Sequence, residues 1–470
     1  MCKKLLATLI LGLVIVHTAF SQQPERLRVS SNNRYLETES GKPFFWMGDT
    51  AWELFHRLTR EEATSYLRNR AEKGFNVVQA VALAEMDGLR VPNPYGELPL
   101  ESMDPARPRD AYFQHVDFII KEAASLGMYI GLLPTWGDKV NRLQWGTGPE
   151  VFTPQNAFAY GKWLGNRYKW QRNIIWIIGG DRNPRDDNDK AIWSAMANGI
   201  AEGVGGHDKA LFTYHPQPTG SEKDGGSADY FHQEEWLDFN MLQTGHCRDN
   251  NVDEKVFSVY QLNPVKPIID GETIYEDIGI CFNNKDLGVG TAYDVRKHAY
   301  LTVFAGAFGH TYGSNPIWQF YAPGRAPSHQ PGYYWYIAMD LPGAGQMKYL
   351  RRLMESRPIM ERVPDQSIIG DARSIGDRIQ ATRGKDYLMV YTTQGKGFTV
   401  NTSKISGRRF IAHWYNPKNG EVTEAGTYSQ RGVIEFTPPK SRYGEDWVLV
   451  VDDASKNYSL PGQLIIQARK

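Results

Sequence analysis

KWQRNIIWIIGGDRNP, residues 169–184, is the stretch from which the fold can be read. Its middle, residues 173–178, is β-branched and apolar, has strand length and no helical period, and stops at Gly179-Gly180 before Asp181. A run that is apolar throughout, instead of alternating, fits a strand buried on both faces of a parallel sheet. Asp181 then falls just past the strand's carboxyl end, where barrel enzymes carry their chemistry. Residues 266–272, KPIIDGE, repeat the grammar: a short apolar strand, Gly271, then Glu272.

Working outward, strands that each lead into a helix are predicted at 44–49, 75–83, 128–134, 174–181, 211–215, 239–244, 267–272 and 306–312. Eight alternations of this α/β kind predict a (β/α)8 TIM barrel and not an open doubly wound sheet. No phosphate-cradling glycine loop follows the first strand, which also argues against a dinucleotide fold. Thr59 and Glu62 form a capping box, and Thr153-Pro154 opens another helix with proline in its first turn. Residues 333–355 are expected to form one last amphipathic helix. Past Pro364 the texture changes to short alternating segments without helices, divided by turns such as Asn416-Pro417-Lys418-Asn419-Gly420, which predicts a C-terminal β-sandwich of about 90 residues. The expected order is a leader at 1–21, the barrel with a short β lead-in at 22–362, the sandwich at 363–455 and a tail at 456–470. Residues 463–467 of that tail could add a strand.

Lys+Arg and Asp+Glu both number 53, so no overall field draws the chain to nucleic acid or an anionic membrane. Hydrophobic residues at 41% and charged ones at 23% match a soluble globular protein. Aromatics reach 12% with 13 Trp and 25 Tyr, which suits either a large core or platforms for the apolar faces of sugar rings. The N-terminus reads as an export signal: Lys3-Lys4, an apolar run at 5–16, then Ala19-Phe20-Ser21 at the cleavage offsets, giving a periplasmic or extracellular product. That run is shorter than the ~20 residues a membrane anchor needs. Cys2 leaves with the leader. Cys247 and Cys281 could form one disulfide, but two cysteines in so long a chain read better as structural thiols.

Cleaving a glycosidic bond needs one carboxyl group to protonate the leaving oxygen and a second to attack the anomeric carbon or activate water. A barrel meets this by placing acids at the ends of different strands around one mouth, as Asp181 and Glu272 are placed. In retaining barrel glycosidases the acid/base commonly follows the fourth strand and the nucleophile the seventh. The departure is an aspartate after the fourth strand where many such enzymes carry Asn-Glu. Asp49, ending the first strand, and His215 and His246, after the fifth and sixth, are expected at the same mouth as substrate contacts. Trp136, Tyr275, Tyr312 and Trp318 are candidate sugar platforms, Trp52 is a further candidate substrate contact, and Asp138 and Asp270 are reserve acids. Asp270, two residues before Glu272, could instead be a core-side group that orients its neighbours. No histidine pair has HExxH-type spacing, so neither a metal nor another cofactor is expected.

Gly48-Asp49-Thr50-Ala51-Trp52, Ile177-Ile178-Gly179-Gly180-Asp181-Arg182-Asn183-Pro184, Gln243-Thr244-Gly245-His246 and Asp270-Gly271-Glu272 resemble the motifs of the apiosidase-like glycoside hydrolases, family 140 and its relatives. The C-terminal part is similar to a module labelled as the collagen-binding domain of a collagenase, a label and not an activity. The resemblance implies an oligo- or polysaccharide substrate and cleavage of apiosyl linkages in the pectic polysaccharide rhamnogalacturonan II by gut Bacteroidetes. It also implies Asp181 as acid/base and Glu272 as nucleophile. The reading from another class is a noncatalytic glycan- or matrix-binding protein with a degenerate barrel. A peptidase would need a zinc signature or a Ser-His-Asp arrangement, and the sequence offers neither.

Overall fold

The computed structural model describes residues 23–220, 224–370, 375–429 and 431–463. The expected leader with Cys2, and nearly all of the possible strand at 463–467, lie outside them.

Every position expected to hold a barrel strand holds one: β1 (Trp46–Thr50), β2 (Val77–Leu83), β3 (Tyr129–Thr135), β4 (Ile174–Gly179), β5 (Phe212–His215), β6 (Asn240–Gln243), β7 (Ile268–Glu272) and β8 (Gly309–Tyr312). Their pairings are all parallel, and every residue of β2 and β3 is buried, which accounts for sequence runs that do not alternate. The ladder is not continuous. Six strands form one sheet in the order β8-β1-β2-β3-β4-β5, and β6 pairs with β7 separately.

The two seams are bridged in other ways. Between β5 and β6 the Asp238 carboxylate takes the Phe212 N–H at 2.7 Å, and Thr213 Oγ1 donates to Phe239 O at 2.7 Å. Asp238 N also donates to Phe212 O at 3.0 Å, so side chains there supplement backbone bonds. Between β7 and β8, Phe308 N donates to Ile268 O at 3.0 Å just before β8 begins. Across the interior, Gln79 Nε2 on β2 donates to Gly271 O on β7 at 2.9 Å. The eight strands thus surround one barrel-like core.

Local signals act as expected at two helix starts. Thr59 and Glu62 cap the helix Arg60–Glu72 reciprocally, and Thr153 caps Pro154–Tyr168 with Asn156 as its partner. The single helix expected at 333–355 is two, Trp335–Ala338 and Pro342–Glu355. Pro342 is the cause: it drives Leu341 into extended backbone at ψ 142° and restarts the helix with itself in the first turn.

The C-terminal strands are β9 (Val363–Pro364), β10 (Ile379–Arg383), β11 (Tyr387–Thr392), β12 (Phe398–Asn401), β13 (Phe410–Tyr415), β14 (Val422–Tyr428), β15 (Val433–Phe436) and β16 (Trp447–Asp453). All pair antiparallel, in a six-stranded sheet ordered β9-β10-β11-β16-β13-β14 and a two-stranded sheet of β12 and β15. Strand β11 shows how they pack. Leu388 and Val390 meet Phe398, Val400 and Phe436 of the small sheet, while Tyr387, Met389 and Tyr391 join the barrel-side core. The large sheet is therefore covered on both faces, and the period-2 alternation assigns each side chain to one of two cores.

Candidate active site

The strand end that carries Asp181 is built by backbone that only glycine adopts easily. Gly179 and Gly180 have φ of 87° and 134°, and a Cβ on Gly180 would lie 2.9 Å from the Trp136 ring. Asp181 itself is left-handed at φ 50°, a conformation that aspartate tolerates better than most side chains. The turn is pinned by Gly180 N to His215 O at 3.0 Å, Gly137 N to Gly180 O at 3.0 Å and Asp181 N to His215 Nδ1 at 3.2 Å. Arg182 holds the Asp181 carboxylate at 2.9 Å.

Glu272 reaches the same space through a bulge. Asp270 pairs with Leu242 and Glu272 with Gln243, so Gly271 is the extra residue, and a Cβ there would strike Met241 Sδ at 2.5 Å. Asp270 turns away, fully buried, accepting from Thr244 Oγ1 at 2.7 Å, and its pKa is raised to about 7 by burial. It anchors the bulge, as its alternative sequence reading allowed.

Asp181 and Glu272 line one pocket of about 90 Å³ together with Glu85, Trp52, Trp136, Gln243, His246, Tyr275, Trp318 and other side chains. Their proton affinities are pushed apart. Burial, then the neighbouring Glu272 charge, raises Asp181 to about 6 despite Arg182 and His215. Burial also works against charge on Glu272, but the contacts with His215 and His246 override it and hold it near 2. His215 Nε2 lies 3.2 Å from Glu272 Oε2, and His246 Nε2 lies 3.3 Å from Oε1. The His215 approach is off-line for a hydrogen bond, leaving Glu272 Oε2 without an aligned donor among the described residues. Because His215 Nδ1 accepts from the Asp181 N–H, the neutral ring carries its proton on Nε2, facing Glu272. His246 Nδ1 donates to Thr273 O at 3.1 Å, so this ring offers Glu272 a proton only when both its nitrogens carry one. Tyr275 packs tilted against His246 at 4.5 Å between ring centres, and burial together with the Glu272 charge keeps its phenol protonated.

Several expected contacts are elsewhere. Asp49 is fully buried and faces the helix Arg60–Glu72, accepting from Tyr66 Oη at 2.6 Å and from Arg70 Nε. Strand alternation sends it outward between Gly48 and Thr50. Tyr312 is likewise fully buried and donates to Glu276 Oε2 at 2.7 Å. His215 sits behind the carboxyl pair, fully buried, so it contacts the acids and not a sugar. Asp138 is sealed against Lys139 at 2.7 Å and is no reserve acid. Trp52, Trp136, His246, Tyr275 and Trp318 do line the pocket, with Trp52 and Trp136 at 5.1 Å between ring centres.

Two features escape the sequence reading. Glu85, on the loop after β2, lines the pocket, and burial followed by the charge of Asp181 raises its pKa well above the usual range. Cys247 and Cys281 are bonded at 2.06 Å, which corrects the thiol reading. The bridge ties the loop after β6 to the loop after β7, and Cys281 N donates to His246 O at 2.9 Å. Among the described residues no group of His, Cys, Asp or Glu is placed to hold a metal ion. A carboxyl with raised proton affinity, beside one held ionised, can protonate a leaving oxygen while the other attacks carbon.

Comparisons with known proteins agree with this chemistry. Residues 30–361 match the family described as "Apiosidase-like, catalytic domain", and residues 363–452 match "Putative collagen-binding domain of a collagenase". A glycoside hydrolase family 5 structure from Bacteroides vulgatus ATCC 8482 superposes with a TM-score of 0.84 at 39% identity, covering 92% of this chain and 94% of that one. Another structure, titled "Glycoside hydrolase", gives 0.84 and 39% over 93% and 98% of the two chains. No curated protein matches. With a family match that spans most of its length and two carboxyls lining one pocket, the chain belongs to the apiosidase-like glycoside hydrolases, enzymes of the TIM-barrel-like kind.

Proposed function

We propose that this enzyme is exported and hydrolyses apiosyl linkages of the pectic polysaccharide rhamnogalacturonan II with retention of configuration. The observation that carries the mechanism is the divergence of two acids in one aromatic-lined pocket, Asp181 raised to about 6 and Glu272 lowered to about 2. In the first step the Asp181 O–H protonates the glycosidic oxygen as a Glu272 oxygen bonds the anomeric carbon and the leaving sugar departs. In the second the Asp181 carboxylate takes a proton from water, whose oxygen displaces Glu272 from the anomeric carbon. Both groups end as they began. The eight strands serve as a closed (β/α)8 scaffold, a reading supported by the Gln79 to Gly271 bond across its interior. The Cys247–Cys281 bridge supports export to an oxidising compartment.

The test is sugar release from rhamnogalacturonan II oligosaccharides with product identification, and proton NMR of the first-formed anomer. Apiosyl cleavage with retention is expected. Release of another sugar replaces the substrate, and an inverted first product replaces the second carboxyl's role with that of a base. Glu272→Gln should lower turnover roughly a thousandfold or more while leaving the fold unchanged. Binding of pectic fragments with no released sugar would make the protein a noncatalytic glycan binder.

A further inference from the structure

The inner pocket opens into a second chamber of about 570 Å³, and the two share Glu85, Asp181, Gln243, His246, Phe282 and His329. Glu272 and Tyr275 line only the inner one, whereas Trp145 and Gln217 line only the outer. On the mechanism proposed above, the attacking acid is inside and the proton donor at the junction, which leaves the outer chamber to the departing sugar. Glu85 stands with Asp181 at that junction.

The three acids of the inner pocket differ in how they are satisfied. Asp181 pairs with Arg182, and Glu272 has two imidazoles. Among the described residues the Glu85 side chain has no hydrogen-bond partner, while its backbone carbonyl accepts from Asp87 N at 2.7 Å; around the carboxyl are Asp181, Glu53 and Asp138, with Arg182 as the opposing cation. Glu53 and Asp138 have partners of their own in His56 and Lys139. A polar group left unpaired in a pocket wall is unfavourable, and a site built to pair it discriminates against ligands that cannot. Burial, followed by crowding from like charges, favours a proton on the carboxyl, which can then both donate and accept.

Resting on the glycosidase reading, we propose that Glu85 is a substrate-contact residue of the leaving side. Its carboxyl hydrogen-bonds a hydroxyl of the sugar being displaced and seats the glycosidic oxygen against Asp181. It is neither the proton donor nor the nucleophile.

The experiment compares Glu85→Ala and Glu85→Gln with the native full-length chain on two substrates, rhamnogalacturonan II oligosaccharides and an aryl apioside whose leaving group has no hydroxyls. Losing one such hydrogen bond should make the kcat/KM loss of Glu85→Ala about tenfold larger on the oligosaccharide than on the aryl glycoside. Glutamine keeps a donor and an acceptor in the same place and should restore most of that loss. Equal losses on both substrates, with or without a lower melting temperature, would overturn the proposal. So would a Glu85→Gln variant as impaired as the alanine one, which would assign Glu85 to proton transfer. A native protein that is active while Glu85→Ala matches it on the oligosaccharide sinks this proposal alone. A native protein that cleaves neither substrate sinks the apiosyl reading and this proposal with it.

Discussion

Asp181 holds its proton at the expense of the fold, and that has a measurable sign. Its folded-state pKa of about 6 lies above the ordinary 3.8, so the folded chain binds a proton the unfolded chain releases between those values. Stability from this group is present below the lower value and is lost as pH rises through about 6. Asparagine never ionises, so Asp181→Asn should melt higher than the native protein near pH 7, with the difference fading below about pH 4. The same carboxyl must be protonated to act, so kcat/KM of the native enzyme should fall as pH rises through about 6. Calorimetry across pH and a pH–rate profile check both signs; a variant no more stable than native near pH 7 would remove the electrostatic account. These two acids were legible because each follows a strand and a glycine. Asp49 follows the same grammar and is wrong for the pocket, because a strand end has two faces and the sequence does not say which residue turns in. Glu85 follows β2 after Ala84 with no glycine at all, so nothing in its neighbourhood marked it.

At the scale of elements, apolar strand runs and capping pairs were readable because each is local. The break at Pro342 was readable in principle: proline restricts its predecessor, and the amphipathic period simply runs across it. The disulfide was not, since its cysteines are 34 residues apart and meet only because β6 and β7 pair and bring their following loops together. The Gly179-Gly180 turn is the element on which the site most depends. A methyl group on Gly180 would require an L-residue at φ 134° and press on Trp136 and the Gly137 nitrogen, both within 3.1 Å. Gly180→Ala should therefore cost about 1–3 kcal/mol and displace Asp181, lowering kcat/KM along with the denaturant midpoint. A variant with native midpoint and rate would show that the turn relaxes freely.

On the scale of the whole molecule, a texture change past Pro364 revealed a second sheet domain, but not that one of its faces is a lid on the first. That fact depends on which alternate residues of β11 and β16 turn toward the barrel-like domain, and both sets are apolar in the sequence. Tyr391 stacks on Tyr300 at 4.9 Å, and Arg362 donates to Val303 O and Ala307 O near the start of β8. Arg296 grips Asp446 at 2.8 and 2.6 Å, and Arg357 grips Asp452 at the same two distances, all four side chains being almost wholly buried. Buried pairs of this kind add little over apolar packing, but removing one partner strands the other charge. Asp446→Ala leaves Arg296 buried with Gln346 Oε1 at 2.6 Å and the Ala292 carbonyl, neither of which carries a charge. It should cost about 3–5 kcal/mol. Because the interface shares one core with the barrel-like domain, the loss should appear as a single unfolding transition at lower temperature. Two separated transitions, or an unchanged one, would mean that the sheet domain is a passenger and that the barrel-like domain keeps its own stability.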